Sequence, residues 1–286
     1  TTPVAHSVLV TCILTPNHFS LPVFTISAST HQPMASLDGS SPRIALQQPF
    51  VYFGQSYNEI YVNHNGHITF NSPWGIHIPQ SFPMYGTRDI IAPFWTIFDN
   101  RQTGLVYYKQ YTRGNILNQA TEDINNYFPQ FNFTASWVFV ATWHEIPYWL
   151  HNNSQTTFQA VLISGGQYSF VLMNYGNISP NRWNVQVGYD TINSIHYLTV
   201  PGSFSSNPSG NYSVFRLNSN VNVPGRWAFR LDHGSRGCTF NSKTSSSAPM
   251  DPLSLDLGGG VNPAVTWRPP VSEQEIGLVR PFTRGI

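Results

Sequence analysis

Apolar and polar residues alternate along most of the chain from Phe50 onwards, which is the period-two pattern of β-strands with one buried face. Asn65-Gly66 separates two short strand-like runs and Gly165-Gly166 separates two longer ones, so each dipeptide predicts a β-hairpin. The predicted strands cover residues 60–62, 68–70, 89–98, 104–112, 136–146, 156–163, 167–175, 183–189, 196–200, 214–217 and 227–231.

Residues 115–128 break this pattern, because apolar residues there recur at every third or fourth position. These residues are Ile116, Ala120, Ile124, Tyr127 and Phe128. The spacing predicts one helix of about three turns that ends near Pro129. The fold class that follows is α+β, predominantly antiparallel β with sandwich-like sheets and one prominent helix.

The two ends of the chain differ in composition from its middle. Residues 1–48 lack helical periodicity and predict an extended N-terminal arm, whereas the Ser, Gly and Pro content of residues 239–286 predicts an extended C-terminal arm. The predicted domain between them is residues 49–238. Apolar residues of the arms are suited to add a strand to a neighbour's exposed sheet edge. These candidate interface residues are Val8, Val10, Ile13, Ile276, Leu278 and Val279.

Charged residues make up only 9% of the chain, against roughly 25% in an average soluble domain, and the net charge is +1. A chain with this balance has no strong electrostatic attraction to nucleic acid or to anionic membranes. No apolar run approaches the roughly 18–20 residues of a membrane-spanning helix. We therefore expect no nucleic-acid partner and no membrane span. The neutral surface is expected either to be kept soluble by glycans or to take part in assembly.

The cysteines and the glycosylation motifs favour secretion. Cys12 and Cys238 are the only cysteines, and a single disulfide, an intermolecular disulfide or two buried thiols all remain open. The single disulfide would tie the N-terminal arm to the end of the domain. Four Asn-x-Ser/Thr acceptor motifs favour the disulfide and secretion, and they begin at Asn132, Asn152, Asn177 and Asn211. The chain begins at Thr1, as expected of a secreted chain whose signal peptide has been removed, or of a fragment.

Six ordered blocks of sequence between Phe50 and Asp232 resemble a nidogen-like (NIDO) domain, and they are closest to the tectorin-like members of that family. The blocks include residues 53–70, Ile90–Trp95, 104–108, 142–143, 158–162 and 169–175, followed by Gly188 and residues 201–203. The resemblance implies an extracellular module of matrix or cell-surface proteins that has no catalytic activity. It says nothing about residues 1–48 or about the C-terminal arm.

Few residues are candidates for a catalytic or metal-binding role. His144 and Glu145 are neighbours on a predicted strand and would point to opposite faces, unless a bulge intervenes. His64 and His67 flank a hairpin turn but lack a third ligand nearby, and Asp99 with Asn100 falls short of a calcium site. We therefore predict no catalytic residue, no metal site and no cofactor.

The leading hypothesis is a non-catalytic, secreted structural glycoprotein module that mediates protein–protein assembly or matrix adhesion. Its partners would be other extracellular proteins or copies of itself, with the terminal arms as one route to self-assembly. The alternative is a carbohydrate-binding or defence module that uses exposed aromatic residues. Tyr148 and Trp149 follow Pro147 in a predicted loop and are the candidates for either kind of contact, although a loop folded back onto the core is equally open.

Overall fold

The computed structural model describes residues 38–206 and 208–234. In chain order its strands are β1 (Ile44–Tyr52), β2 (Gln55–Asn63), β3 (His67–Phe70), β4 (Ile90–Trp95), β5 (Leu105–Tyr111), β6 (Trp137–Tyr148), β7 (His151–Gly165), β8 (Tyr168–Tyr175), β9 (Gln186–Asp190), β10 (Tyr197–Thr199) and β11 (Arg226–Arg230). The helices are α1 (Asn115–Tyr127) and α2 (Val214–Leu217), with short 3₁₀ helices at Pro129–Phe131 and Ile192–Ser194.

The strands form two antiparallel sheets. The first sheet has the order β1-β2-β3-β4-β9-β10 and the second has the order β11-β8-β7-β6-β5. One apolar cluster, largely aromatic, contains side chains of both sheets. Trp143 of the second sheet lies parallel to Phe158 with 4.8 Å between the ring centroids, and its indole N–H donates to the carbonyl of Asn63 in the first sheet. This contact joins the sheets at the hairpin between β2 and β3.

Helix α1 covers the outer face of the second sheet. Ala120 and Ile124 of the helix are buried against outward-facing side chains of β6, β7, β8 and β11. The strands of this sheet are therefore apolar on both faces. The buried guanidinium of Arg226 fixes the helix in place, because its Nη1 donates to Asp123 Oδ2 and to the Tyr127 hydroxyl, each at 2.8 Å.

The outer face of the first sheet is covered by residues 71–89, which contain no helix or strand. Trp74, Ile76 and Met84 from this segment pack against the buried side chains of Ile90 and Trp95. The Trp95 indole N–H donates to the carbonyl of Ile76 at 3.0 Å. Residues 71–89 thus cover the outer face of the first sheet, as α1 covers the outer face of the second.

Strand β1 lies against one end of the second sheet. The side-chain amide of Gln110 accepts the N–H of Gln47 at 2.8 Å and donates to the carbonyl of Ala45 at 2.9 Å. Further along β1, the carbonyl of Val51 accepts the hydroxyl of Ser169 at the start of β8. Gln110 therefore occupies backbone groups of β1 that a further strand would otherwise use.

The structure confirms a mostly antiparallel β fold in two sheets with few helices. Both predicted hairpins are present, and α1 lies where the apolar spacing predicts it. Residues 214–217, predicted as a strand, instead form the one-turn helix α2, because four residues of apolar type do not distinguish a strand from a helix.

Strand β1 begins at Ile44 and crosses the predicted boundary between residues 48 and 49. The predicted C-terminal arm lies outside the described residues, as does the predicted N-terminal arm up to residue 37. Cys12 and Cys238 lie there too, so their pairing stays a prediction.

Gly66 provides a direct test of the contact between the β2–β3 hairpin and β4. Its φ is +84°, and a Cβ added there would lie 1.9 Å from the carbonyl oxygen of Phe94. Gly166 in the β7–β8 hairpin also has a positive φ, +59°, but an added Cβ meets nothing within 4 Å. We expect Gly66→Ala to lower the free energy of unfolding by more than about 3 kcal/mol and Gly166→Ala by about 1 kcal/mol.

Urea unfolding of both variants measures the difference. Because both positions have positive φ, the difference reports mainly the steric clash at Phe94. Equal losses of stability in the two variants would contradict the close approach.

Candidate functional site

Tyr148 is not an exposed aromatic residue, so its prediction as an interface residue is wrong. Strand β6 continues through Pro147, and the Tyr148 ring is fully buried. The ring lies nearly parallel to that of Phe98 with 5.2 Å between centroids, and its hydroxyl donates to the carbonyl of Ser179 at 3.1 Å. Burial raises the pKa of the Tyr148 phenol well above its usual value.

Trp149, the neighbouring candidate, is half-buried. Its backbone N–H donates to the carbonyl of Ile97, and its ring packs against that of Trp183 with 5.9 Å between centroids. Leu150 beside it is 69% exposed at the turn between β6 and β7. Trp149 thus contributes part of its surface to solvent, and its role in binding stays a prediction.

The glycosylation motifs differ in their surroundings. Asn132 and Asn211 are exposed. Asn177 is also exposed, but its side-chain nitrogen donates to the carbonyl of Gln155 at 2.7 Å. The structure does not describe the side chain of Asn152. None of the four sites is tested by the structure, so glycosylation stays a prediction.

His64 and His67 are both buried. The Nε2–H of His67 donates to the carbonyl of Trp74 at 2.6 Å. Burial lowers the pKa of His67 to about 4, and hydrogen bonds to the backbone of Trp74 and Asn65 oppose this effect. The ring is therefore neutral at physiological pH.

Asp99 accepts hydrogen bonds from the Arg101 guanidinium at 2.8 and 2.7 Å, and these are the main reason that its pKa is lowered. In the part of the chain that the structure describes, no three His, Cys, Asp or Glu side chains are grouped to hold a metal ion.

A bulge does interrupt the strand at His144 and Glu145. The register of β6 with β7 shifts between Trp143 and Ile146, and Glu145 has a φ of +48°. The ring of His144 lies 6.2 Å from that of Tyr107. Among the hydrogen bonds of the described residues, none joins His144 to Glu145. His144 and Glu145 are thus adjacent at the bulge without a hydrogen bond between them.

Two buried carboxylates lie at the adjoining ends of β4 and β9. Asp190 ends β9 and is paired in register with Ile90, the first residue of β4, and Asp89 immediately precedes Ile90. Asp89 and Asp190 are 2% and 0% exposed. The hydroxyl of Tyr52 donates to the carbonyls of both Ile90 and Asp190, at 3.0 and 3.1 Å, and fixes this corner of the sheet.

Asp190 holds the segment 82–86 in place. Its Oδ2 accepts the N–H of Met84 at 2.8 Å and the hydroxyl of Ser194 at 2.9 Å, and the same hydroxyl oxygen accepts the N–H of Tyr85 at 2.8 Å. Tyr85 and Ser194 both have positive φ, at 50° and 52°. Such conformations persist only where the surroundings hold them.

Asp89 holds the second segment, residues 191–196. Its Oδ1 accepts the N–H of Ile192 at 3.0 Å, and its Oδ2 accepts the hydroxyl of Tyr57. The two segments also meet directly, because Asn193 N–H donates to the carbonyl of Gly86 at 2.8 Å. The carboxylates thus fix two irregular segments against each other.

Large apolar side chains project from these fixed segments. Tyr85 is 71% exposed, and Ile195, which follows its hydrogen-bond partner Ser194, is 48% exposed; we term these two side chains the Tyr85–Ile195 surface. A tyrosine held on a rigid backbone is typical of residues that anchor protein interfaces, since it loses little conformational entropy on binding. This surface was not predicted from the sequence. The only local signal was a run without strand or helix periodicity around Pro83-Met84-Tyr85-Gly86.

A family model described as Nidogen-like domain matches residues 58–233. The chain belongs to the nidogen-like domain family. The match includes Asp89, Asp190 and both segments that carry the Tyr85–Ile195 surface. The chain is 36% identical to alpha-tectorin of Homo sapiens over an alignment of 223 positions, which covers 71% of this chain and 10% of that protein. It is 35% identical to alpha-tectorin of Gallus gallus over 78% of the chain and 10% of the relative.

Nidogen of Drosophila melanogaster is 31% identical over an alignment of 209 positions, which covers 68% of this chain and 15% of that protein. The chain therefore spans only about a tenth of the length of the alpha-tectorins it matches. No solved structure matches it. Among residues 38–206 and 208–234 of this nidogen-like chain, no helix is long and apolar enough to cross a membrane.

The buried carboxylates give the nidogen-like domain a specific dependence on pH. Burial raises the pKa of Asp190 from 3.8 to about 6; the charge of Asp89 adds to this, and the hydrogen bonds from Met84 and Ser194 oppose it. The folded state therefore keeps a proton that the unfolded state loses between pH 4 and 6. The contribution of Asp190 to stability falls as the pH rises through this window, by about 3 kcal/mol in total.

His67 acts in the opposite direction, because its lowered pKa makes stability fall as the pH falls from 6.5 towards 4.

Comparison with Asp190→Asn separates these effects. The amide cannot ionise but keeps an oxygen that accepts from Met84 and Ser194. We expect the free energy of unfolding of the wild type, minus that of the variant, to fall by about 2.4 kcal/mol between pH 4 and 7. Denaturant unfolding at a series of pH values measures this difference, in which the contribution of His67 cancels. A difference that is constant with pH would show that Asp190 is not the buried acid described here.

Proposed function

We propose that this nidogen-like chain is a non-catalytic module of a secreted glycoprotein in the extracellular matrix, and that it associates with further copies of itself. The extracellular setting is what the family resemblance implies. The observation that carries the proposal of association is the Tyr85–Ile195 surface, where apolar side chains are exposed on backbone that buried carboxylates hold fixed. Rigid, exposed aromatic and aliphatic residues favour a protein partner.

The charge of the chain supports a second copy as that partner. Fourteen basic and 13 acidic residues leave a net charge of +1 on 286 residues. Two copies therefore approach each other with little electrostatic repulsion, and apolar contacts of modest area are not opposed by charge. The described ion pairs, such as Arg43 with Glu59 and Arg101 with Asp99, further neutralise the surface within one chain.

The terminal arms provide a second route to assembly. Val8, Val10 and Ile13 of the N-terminal arm, and Ile276, Leu278 and Val279 of the C-terminal arm, are suited to strand addition at a neighbour's sheet edge. These residues lie outside the described residues, so the route rests on their sequence alone.

The absence of catalysis is part of the same proposal. The buried carboxylates Asp89 and Asp190 would be the natural candidates for acid–base chemistry in this domain. Both oxygens of Asp89 and Oδ2 of Asp190 instead accept hydrogen bonds, from the backbone of Met84 and Ile192 and from the hydroxyls of Ser194 and Tyr57, whereas Oδ1 of Asp190 is buried without a hydrogen-bond partner among the described residues. This arrangement is one that positions loops, which is a structural role.

Sedimentation of the full chain over micromolar to millimolar concentrations tests self-association. We expect Tyr85→Ser combined with Ile195→Ser to weaken association about tenfold or more, because each substitution removes apolar contact from the interface. The matched control combines Tyr212→Ser with Leu217→Ser, since those side chains are 84% and 50% exposed and belong to neither of the segments 82–86 and 191–196. The control should associate like the wild type.

Three results would distinguish the alternatives. A wild type that stays monomeric at every concentration contradicts self-association altogether. An equal loss in the control pair would show that general surface hydrophobicity, not the Tyr85–Ile195 surface, is responsible. Loss of association only on removal of residues 1–37 or 235–286, with circular dichroism unchanged, would assign assembly to the arms.

Glycosylation is the second part of the proposal that can be measured. We expect the protein secreted from animal cells to lose mass on treatment with peptide N-glycosidase, with Asn132→Gln and Asn211→Gln each removing one glycan, because both side chains are exposed. Asn177→Gln should leave the mass of the glycans unchanged, since its amide is already hydrogen-bonded to Gln155. A chain with no mass loss at all would contradict the assignment as a glycoprotein.

A further inference from the structure

A cleft of about 340 Å³ lies between β1 and the hairpin that joins β7 to β8. Gln48, Pro49 and Val51 form one wall, and Ser136 with residues 164–168 form the other. This volume is at the lower end of the range for small-molecule sites. It suits a ligand of roughly the size of one sugar ring with its substituents.

The polar groups of the cleft are neutral. Its lining contains the side-chain amides of Gln48 and Gln167, the hydroxyls of Ser136 and Ser164, and the ring of Tyr168, and it includes no charged side chain. The side chain of Gln48 is hydrogen-bonded within the cleft, because its Oε1 accepts the Ser136 hydroxyl at 2.8 Å. Gln167 is exposed at the tip of the hairpin and makes no side-chain hydrogen bond within the described residues. Amides and hydroxyls offer donors and acceptors side by side, which is what the hydroxyl groups of a ligand require.

The charged groups beside Tyr168 neutralise each other. The guanidinium of Arg230 packs on the ring of Tyr168 at 5.1 Å and pairs with Asp232 at 2.7 Å. A charged ligand entering the cleft would lose hydration without gaining an ionic partner. An extended peptide is also disfavoured, because backbone groups of β1 near the cleft are already bonded to Gln110.

We propose that this cleft binds one sugar residue of a glycan. A sugar is neutral and has several hydroxyls that the amides of Gln48 and Gln167 can bind. The ring of Tyr168 is already packed against Arg230 and Phe131, so the polar groups of the cleft carry the recognition. The proposal is independent of self-association through the Tyr85–Ile195 surface.

The sugar has two chemically equivalent sources. The first is the chain's own glycan at Asn132, because the acceptor motif lies beside the cleft: a Cβ added at Gly165 would lie 2.0 Å from the carbonyl oxygen of Thr134. Two residues after Thr134, Ser136 lines the cleft itself. The second source is a glycan carried by another molecule.

Ligand-detected saturation-transfer NMR on the full chain tests the proposal, with N,N′-diacetylchitobiose and methyl α-mannoside as probes. The protein is used both as secreted and after enzymatic removal of its glycans. We expect at least one probe to bind with millimolar affinity, and Gln167→Ala to weaken binding about threefold to tenfold through loss of a hydrogen bond. The matched control is Gln102→Ala, an exposed glutamine in the loop before β5 that does not line the cleft.

The two forms of the protein distinguish the sources. Binding only after glycan removal would show that the chain's own glycan occupies the cleft, and Asn132→Gln should then bind without enzyme treatment. Binding by both forms would assign the cleft to a glycan of another molecule. Hydrogen–deuterium exchange should slow in residues 164–168 when the probe is added.

The proposal is overturned if neither probe binds either form. It is also overturned if binding is unchanged by Gln167→Ala, or if the protected residues lie elsewhere. Since Gln167 is exposed at a hairpin tip, its substitution is expected to leave folding intact, and circular dichroism checks this directly.

Discussion

The hydrogen bonding of Asp89 and Asp190 is the constraint on which the proposed binding surface depends. Segments 82–86 and 191–196 have little regular structure, and the backbone at Tyr85 and Ser194 is in a conformation that those side chains seldom adopt. The carboxylates compensate by accepting backbone N–H groups from both segments. Their own position follows from the sheet, because the pairing of β4 with β9 sets Ile90 opposite Asp190. The interface candidate is thus fixed by the register of two buried strands.

Local patterns in the sequence predicted much of the fold. The hairpins at Asn65-Gly66 and Gly165-Gly166 and the helix at Asn115–Tyr127 each depend on residues close together in the chain, and each is present in the structure. The helix was predictable because one apolar face recurs over several turns. Residues 214–217 gave no such period and were wrongly predicted as a strand.

The features that the sequence did not predict depend on distant contacts. Tyr148 follows Pro147 in a predicted loop, but Phe98 and Ser179 bury it, and they lie far from it in the chain. The segment 71–89 covers a sheet without any periodic pattern of its own. Asp190 ends a strand like many exposed acidic residues, and only its pairing with β4 reveals that it is buried. Sequence periodicity reports which face of an element is apolar, but not which irregular segment covers that face.

This nidogen-like domain uses buried charge to hold an exposed apolar surface, and we propose that this surface meets another copy of the chain. Hydrogen–deuterium exchange of the full chain over a concentration series tests that claim most directly. The account predicts that exchange in residues 82–86 and 191–196 slows as the concentration rises, while exchange in α1 stays constant. Rates in those two segments that do not depend on concentration, in a sample whose mass shows association, would contradict it.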